Sequence, residues 1–289
     1  MVKSVLFTNP KNFRGQNRFI GVLKNHGIRT CIGRSQSNCL EQADQVDLLL
    51  HAQRRTATLD KPLQEILNRS LHRTHWMRGN PNVENKNITN QLVTSHGIKI
   101  PDFCTLPEFL DHDYSGPKPK FPLMIKYVYG SLGKEIYKVD NEDQLNLLLN
   151  TLRHKQKLYQ VQEFIQTAPQ PNTSASHRLF TFGEEVIGHA INTQEQSHVS
   201  NLHAGGQCQL QDLRGNAFEA LRDAAINVAR LFKSKGLLWG GQDWLLDIKT
   251  GQPFFLEVNS VPGFQSLGTK TKAEGFSILA RKLKKYDPS

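Results

Sequence analysis

Near the C-terminal end, two strand-like runs, "LLWGGQDWLLDI" and "QPFFLEVN", flank the short link "KTG", and each carries acid where a buried sheet wants apolar side chains. A three-residue link with Gly251 in the left-handed position makes a β-hairpin. Pairing Ile248 with Gln252 then sets Asp243 directly opposite Glu257. Side chains alternate along a strand, so Asn259 falls on the same face as Glu257, two residues on. An ionised carboxylate among apolar residues is costly unless something pairs with it. Oxygen donors gathered on one patch suit magnesium, which takes hard oxygen ligands and commonly bridges a few carboxylates to phosphates. The alternative is a pair of acids on a wet sheet face. A slip of one residue would put the groups on opposite faces, so the expectation depends on register.

A second charged residue interrupts an apolar strand. Lys126 lies in "FPLMIKYV" on the face of Met124 and Val128, either as a buried ammonium that wants an anion or as a snorkelling edge lysine. Gly130 and Gly133 in "GSLGKE" let backbone N–H groups approach a phosphate closely, as a flap or nest. In "VQEFI" the backbone around Glu163 and Phe164 is able to meet a flat base edge while apolar neighbours cover its faces. Arg178 in "SHRLF" is either a cation facing transferring phosphate oxygens or an ordinary surface arginine. "SNLHAGG" places Ser200, Asn201 and His203 before two glycines, a loop suited to close ligand approach. His203 reads as a loop residue rather than a metal ligand. Nothing near Cys208 orients it as a nucleophile with a histidine base.

The surroundings are those of an ordinary globular chain. At 289 residues there is room for one large domain or two to three small ones. Lys plus Arg number 36 against 26 Asp plus Glu, a net charge of +10 concentrated between Arg54 and Arg78 and at the C-terminus. Such fields attract polyanions, yet no zinc-finger spacing, aromatic RNA-binding motif or helix-turn-helix signature accompanies them, which makes a nucleic-acid partner unlikely on sequence grounds. Cys31, Cys39, Cys104 and Cys208 are scattered, with no C-x-x-C pair, and suit a reducing cytosol. No signal peptide or membrane span is read, and the expected location is cytoplasmic, with no membrane partner.

Along the chain, "KSVLFTN", "IRTCIG" and "QVDLLLH" read as strands and "NRFIGVLKNHG" as a helix closed by Gly27, an alternation that predicts a small α/β domain with a parallel sheet. It contains neither G-x-G-x-x-G nor a Walker A run. Arg73 to Ile100 reads as a polar connection with the helix "NVENKNITNQLVTSHG", and "IPDFCTLPEFL" and "SGPKPK" as linker. Beyond Phe121 the pattern turns to hairpins with two long helices.

Taken in order, the lysine strand, glycine loop, "VQEFI", arginine strand, "SNLHAGG", "GGQD" and "LEVNSVPGF" resemble the ATP-grasp superfamily, and within it the RimK-type carboxylate–amine ligases, from about Asn85 to Lys272. The resemblance implies an α/β (α+β) chain in three parts: a pre-ATP-grasp α/β domain at 1–80, a small subdomain with linker helix and flap at 81–165, and a C-terminal subdomain with the metal site at 166–289. Lys86 and Lys126 are thereby implied to contact ATP phosphates under a flap of Gly130, Ser131 and Gly133, and Glu163 and Phe164 to form the adenine hinge. Arg178 and Asn201 would serve the reacting phosphates and acyl phosphate. Asp243, Glu257 and Asn259 would hold two Mg2+ ions, or Mn2+ in their place.

The implied reaction joins an amino acid to an acidic peptide, a protein or a small carboxylate through an acyl phosphate, releasing ADP and phosphate; a homo-oligomer is compatible with it. Ser176, Val199 and Ala204 depart from the family pattern, the first where an acid is usual and the others where basic residues are frequent. The rival readings are a catalytically silent ATP-binding scaffold or regulator and, more weakly, a basic nucleic-acid-binding protein.

Overall fold

The computed structural model describes residues 1–8, 16–33, 42–52, 61–130, 134–170, 172–200, 206–213 and 218–288. Three sheets organise them. The first contains β1 (Ser4–Thr8), β2 (Arg29–Gly33), β3 (Leu48–Ala52) and β4 (Thr74–Arg78) in the order β2-β1-β3-β4. All its pairings are parallel, as the strand–helix alternation predicts. The helices Gln16–Asn25 and Lys61–Arg69 provide crossovers between β1 and β2 and between β3 and β4. β1 and β3 are buried along their whole length, the pattern of a sheet covered on both faces.

β4 departs from the sequence expectation, which placed Arg73 onward in a polar connection. "THWMR" contains a histidine and ends in arginine, so its periodicity is weak. It is nonetheless almost wholly buried, because the structure satisfies His75 on both sides. Nε2 lies 3.3 Å from the Ser260 carbonyl and Nδ1 3.4 Å from the Trp239 N–H. Burial holds the imidazole neutral, well below its usual range, and the ring stacks on Trp239 at 3.4 Å between centroids. The "linker" at Phe103 also holds structure: a strand, β5 (Phe103–Thr105), then the helix Leu106–Leu110 opened by a Thr105–Glu108 capping box.

The second sheet is antiparallel: β5, β6 (Leu123–Tyr127), β7 (Ile136–Val139) and β8 (Tyr159–Glu163) in the order β5-β8-β6-β7. The helix Glu142–Leu152 begins with Asn141 accepting from the Gln144 N–H and buries Leu145 and Leu152. The third sheet runs β11 (Gln207–Leu210), β10 (Glu185–Gln194), β9 (Ser174–Phe182), β12 (Trp239–Leu246) and β13 (Pro253–Asn259), again antiparallel. One of its faces is closed by the helix Glu219–Lys233, whose Leu221, Ala225, Val228 and Phe232 join Leu179, Trp244, Phe255 and Val258.

The first and third sheets share one core. Val5, Phe7 and Phe19 pack in the same cluster as Trp239, Phe264 and the C-terminal helix Lys272–Lys285, with Phe19 stacked on Phe276 at 4.6 Å. No helix among the described residues is long and apolar enough to cross a membrane.

Two glycines give opposite expected results. A Cβ at Gly188 would lie 2.4 Å from the Ser266 carbonyl oxygen, so Gly188→Ala forces backbone to move and costs about 1–3 kcal/mol. Gly21, in the first helix, has nothing within 4 Å of such a Cβ, and Gly21→Ala stabilises by about 0.5–1 kcal/mol. Chemical denaturation of both variants checks the pair.

Candidate functional site

β12 and β13 bring the acids together, by a route the sequence reading had only half right. The hairpin closes on Asp247 and Gln252 rather than on Ile248 and Gln252, with Gly251 N–H donating to the Asp247 carbonyl at 2.8 Å and Gly251 at φ +67° as expected. That longer loop shifts the ladder by one, pairing Trp244 with Phe255, and a bulge at Leu256 shifts it back, pairing Asp243 with Glu257 and Gly241 with Asn259. The bulge has a second effect. In a regular strand Phe255 and Glu257 would share a face; with Leu256 inserted, Phe255 turns to the helix side against Trp244, while Glu257 stays on the open face with Asp243.

β9 continues the row, since Arg178 lies opposite Asp243. The guanidinium holds the carboxylate by both oxygens, Nε to Oδ1 at 2.7 Å and Nη2 to Oδ2 at 2.6 Å, a bidentate geometry. Glu257 is engaged from elsewhere. Lys86 Nζ, at the start of the helix Lys86–Thr94, is 3.2 Å from Oε2, and the Asn259 amide donates to Oε1 at 3.2 Å. The same Lys86 ammonium donates to the Gly130 carbonyl at 2.7 Å, joining the root of the flap to the acid row. Lys126, on β6, donates to Gln162 Oε1 on β8.

The electrostatics follow from this crowding. Burial pushes the Asp243 carboxyl above its ordinary value, with Arg178 opposing and Glu257 adding to the shift. Burial also acts upward on Glu257, but Lys86, the Asn259 hydrogen bond and Arg178 outweigh it and hold the carboxyl low. The Asp243 charge raises Arg178 above its usual value. Burial lowers Lys126 to about 8; Lys86 adds to the drop and Glu257 opposes it.

Sequence reasoning missed Gln160 and Gln162, although the alternation in "YQVQE" was a signal. Both are buried on β8. Gln162 accepts from Lys126, and Gln160 donates to Asn87 at 2.7 Å, beside Lys86. The Glu163 N–H donates to the Asp102 carbonyl at 2.8 Å and the Phe164 N–H to the Pro122 carbonyl at 3.0 Å. A base edge at these two residues therefore cannot use their N–H groups without breaking a backbone hydrogen bond. Lys138 stands 5.0 Å above the Phe164 ring. Ser131, Gly133, Asn201, His203 and Ala204 lie outside the described residues. Ser176 accepts from the Ser200 hydroxyl at 2.7 Å, a neutral contact where a carboxylate would place charge.

The donor set fits a divalent cation of the magnesium kind. Asp243 and Glu257 are paired across one ladder rung with a carboxamide beside them, and hard oxygen donors in that number leave positions for water and phosphate. Among the described residues no group of three or more His, Cys, Asp or Glu side chains offers a competing site. Each acid is neutralised here by a protein cation, Asp243 by Arg178 and Glu257 by Lys86.

Two α+β units meeting at a row of lysines, arginine and acids are the architecture of ATP-grasp ligases. D-alanine–D-alanine ligase from Bacillus anthracis complexed with ATP matches over 99% of this chain and 97% of its own, with TM-score 0.62 and 20% identity. ATP-grasp ligase PsnB, complexed with a phosphomimetic variant of a minimal precursor, Mg and ADP, matches over 99% of each chain with TM-score 0.60 and 13% identity. Residues 83–282 match the RimK-like ATP-grasp domain, and the chain belongs to that family. Probable alpha-L-glutamate ligase of Vibrio atlanticus (strain LGP32) is 31% identical over 185 residues, 63% of this chain and 56% of that protein. Probable alpha-L-glutamate ligase 2 of Hahella chejuensis (strain KCTC 2396) is 29% identical over 154 residues, 53% and 46% of the two. The chain thus spans about half the length of these curated relatives.

Lys126 gives the site a pH dependence. Burial brings the pKa of its ammonium down to about 8, so above that pH a triphosphate placed beside it would require the lysine to take up a proton, and ATP affinity is expected to fall by up to about tenfold per pH unit. Stability runs the other way. The folded pKa lies below the ordinary lysine value, the unfolded chain holds more protons above pH 8, and the nucleotide-free fold gains stability as pH rises. Lys126→Met weakens ATP binding at pH 7 by about tenfold or more and removes the alkaline slope. Fluorescent-nucleotide titration between pH 7 and 9.5 reads both.

Proposed function

We propose that the protein is an ATP-dependent carboxylate–amine ligase that joins an amino acid to a peptide or protein carboxylate, releasing ADP and phosphate. The observation that carries this reading is the single row Arg178–Asp243–Glu257 met by Lys86 and Lys126. Three cations beside two acids are more positive charge than the acids need, and the surplus suits a triphosphate. Phosphoryl transfer asks little covalent help from a protein beyond positioning and charge neutralisation.

In this reading a substrate carboxylate oxygen attacks the γ-phosphorus, ADP leaves, and the amine nitrogen then attacks the acyl carbon and displaces phosphate. Lys86 and Lys126 hold the phosphates. Arg178 neutralises charge on the transferred group and Asn201 serves it as a neutral hydrogen-bonding amide. Gly130, Ser131 and Gly133 cover it, and Glu163 and Phe164 border the base. Asp243, Glu257 and Asn259 would hold magnesium, two ions in the fullest form, which supplies charge neutralisation to the phosphates. The same proposal divides the chain near residues 80 and 165 and places it in the cytoplasm, a setting that suits the free thiols of Cys31, Cys104 and Cys208.

Incubation with ATP, magnesium, pooled amino acids and acidic peptides, followed by mass spectrometry, tests it. Amine-dependent ADP release with an amide-linked product is the expected result. ATP binding with no amine-dependent turnover would leave a nucleotide-binding scaffold in its place.

A further inference from the structure

Among the described residues β11 differs from the other sheet edges. Its residues, Gln207, Cys208, Gln209 and Leu210, are all exposed, and it forms the outer strand of the third sheet. Natural edges are usually guarded by charge, proline, brevity or a covering segment. The other edges here follow that rule. β2 opens with Arg29 and β7 carries Lys138. β5 is only three residues long. β4 is capped by the Trp76 N–H donating to the Gly236 carbonyl at 2.9 Å, and β13 by the Phe255 N–H donating to the Lys99 carbonyl at 2.9 Å. β11 has no charged residue and no proline.

Its register says which groups are free. The Gln211 N–H donates to the His189 carbonyl at 2.9 Å, and in an antiparallel ladder bonded pairs alternate with unbonded ones. Gln209 and Gln207 therefore use their N–H and C=O groups toward Ile191 and Thr193 on β10, while those of Cys208 and Leu210 point outward. No backbone partner for them occurs among the described residues.

The same strand is continuous with the candidate site. Leu210 pairs with Ala190, Ala190 with Arg178, Arg178 with Asp243 and Asp243 with Glu257, one row across five strands. The neighbouring row, Cys208, Asn192 and Ser176, is neutral throughout. At about 4.8 Å per strand, Arg178 lies roughly 14–15 Å from a chain added outside β11, a span of about four to five extended residues. The geometry points to β11 as the docking edge for an extended segment of polypeptide substrate, which adds as a further strand through Cys208 and Leu210 and sends its reacting end across the neutral row to Arg178. This deepens the ligase reading and rests on it: the carboxylate substrate is a polypeptide, held by its backbone, rather than a free small acid.

Proline at position 210 tests the edge directly, because the N–H it removes faces outward and an edge strand tolerates that loss. The probes are a pool of random-sequence decapeptides and the same pool N-methylated through its middle residues, each with ATP, magnesium and pooled amino acids as the amine, and a pool of free amino acids and dipeptides with ATP and magnesium alone. Wild-type protein is expected to release ADP and form ligated product with the unmethylated decapeptides, and about tenfold less with the methylated pool. Leu210→Pro is expected to raise KM for the decapeptides about tenfold with kcat and ATP affinity little changed, and Leu210→Ala to behave as wild type. The methylated pool reads the edge on wild-type protein, so the test survives a misfolded proline variant.

Product formed equally from methylated and unmethylated decapeptides, or only from amino acids and dipeptides, overturns the docking while leaving the ligase. No ADP release with any pool removes the ligase reading and the docking with it. A dimer of the peptide-free protein in sedimentation that Leu210→Pro dissolves would assign the edge to a second copy of this chain and overturn the proposal.

Discussion

Glu257→Gln lowers ADP formation by about 10²–10³-fold or more, while the thermal midpoint moves by only a few degrees. The two halves of that result have different causes. Glu257 is about one third exposed and sits on the open face of β13, so an isosteric amide removes no packing; Phe255 and Val258 still carry the core on the other face. What the amide removes is a full negative charge, and with it the attraction to Lys86 and the oxygen donor best placed to share a cation with Asp243. Deleting one aimed charge or donor at a reacting phosphate typically costs several kcal/mol of transition-state stabilisation. Asn259→Ala is expected to act in the same direction and less strongly, because it removes a neutral donor and leaves the Glu257 charge in place. Phosphate-release kinetics under saturating ATP and a thermal melt of the same sample separate the two halves. Turnover surviving Glu257→Gln would mean that the acid row is a structural ion-pair network.

The juxtaposition of Asp243 and Glu257 was legible because two acids stood in runs of strand formers with a glycine-ended link between them. The ladder nevertheless differs in detail from the simple three-residue hairpin. The loop is one residue longer than read, and the bulge at Leu256 restores the register. A pattern-based reading has no access to that bulge, since "FFLEVN" reads as a continuous strand. Its physical cause is tertiary: Phe255 gains a place against Trp244 and Phe232 only by turning to the helix side. β4 was hidden for a related reason. His75 is an unlikely core residue until Trp239 and Ser260 are brought to it from more than 160 positions away in sequence. β11 is not legible as a strand because "QCQL" has no apolar face to bury, which is also why its residues stay exposed. Lys126 is legible as an interruption of an apolar strand, but its partner Gln162 is not, because a glutamine in a strand carries no anomaly of its own.

Arg178→Ala is expected to destabilise the fold by about 3–5 kcal/mol at neutral pH, the range found when one member of a buried pair is removed and the other remains. Asp243 is about one tenth exposed and bonded to Arg178 through both oxygens; without the guanidinium it faces Glu257 across the rung with burial unopposed. Its pKa, already raised, then rises further. A carboxyl whose folded pKa exceeds its unfolded value binds more protons in the folded state between the two, so stability falls as pH rises through that window. The variant therefore regains stability on mild acidification. The double variant Arg178→Met/Asp243→Asn removes both charges and is expected to recover most of the lost stability at neutral pH, yet to stay inactive if the two residues hold phosphate and cation as proposed. Urea denaturation of wild type, Arg178→Met, Asp243→Asn and the double variant at two pH values, with Arg178→Ala beside them, reads the coupling as a double-mutant cycle. A coupling energy below about 0.5 kcal/mol, with Arg178→Ala as stable as wild type, would show that the guanidinium rests on Asp243 without holding it, and that its place in the row is set by the phosphate it awaits rather than by the fold.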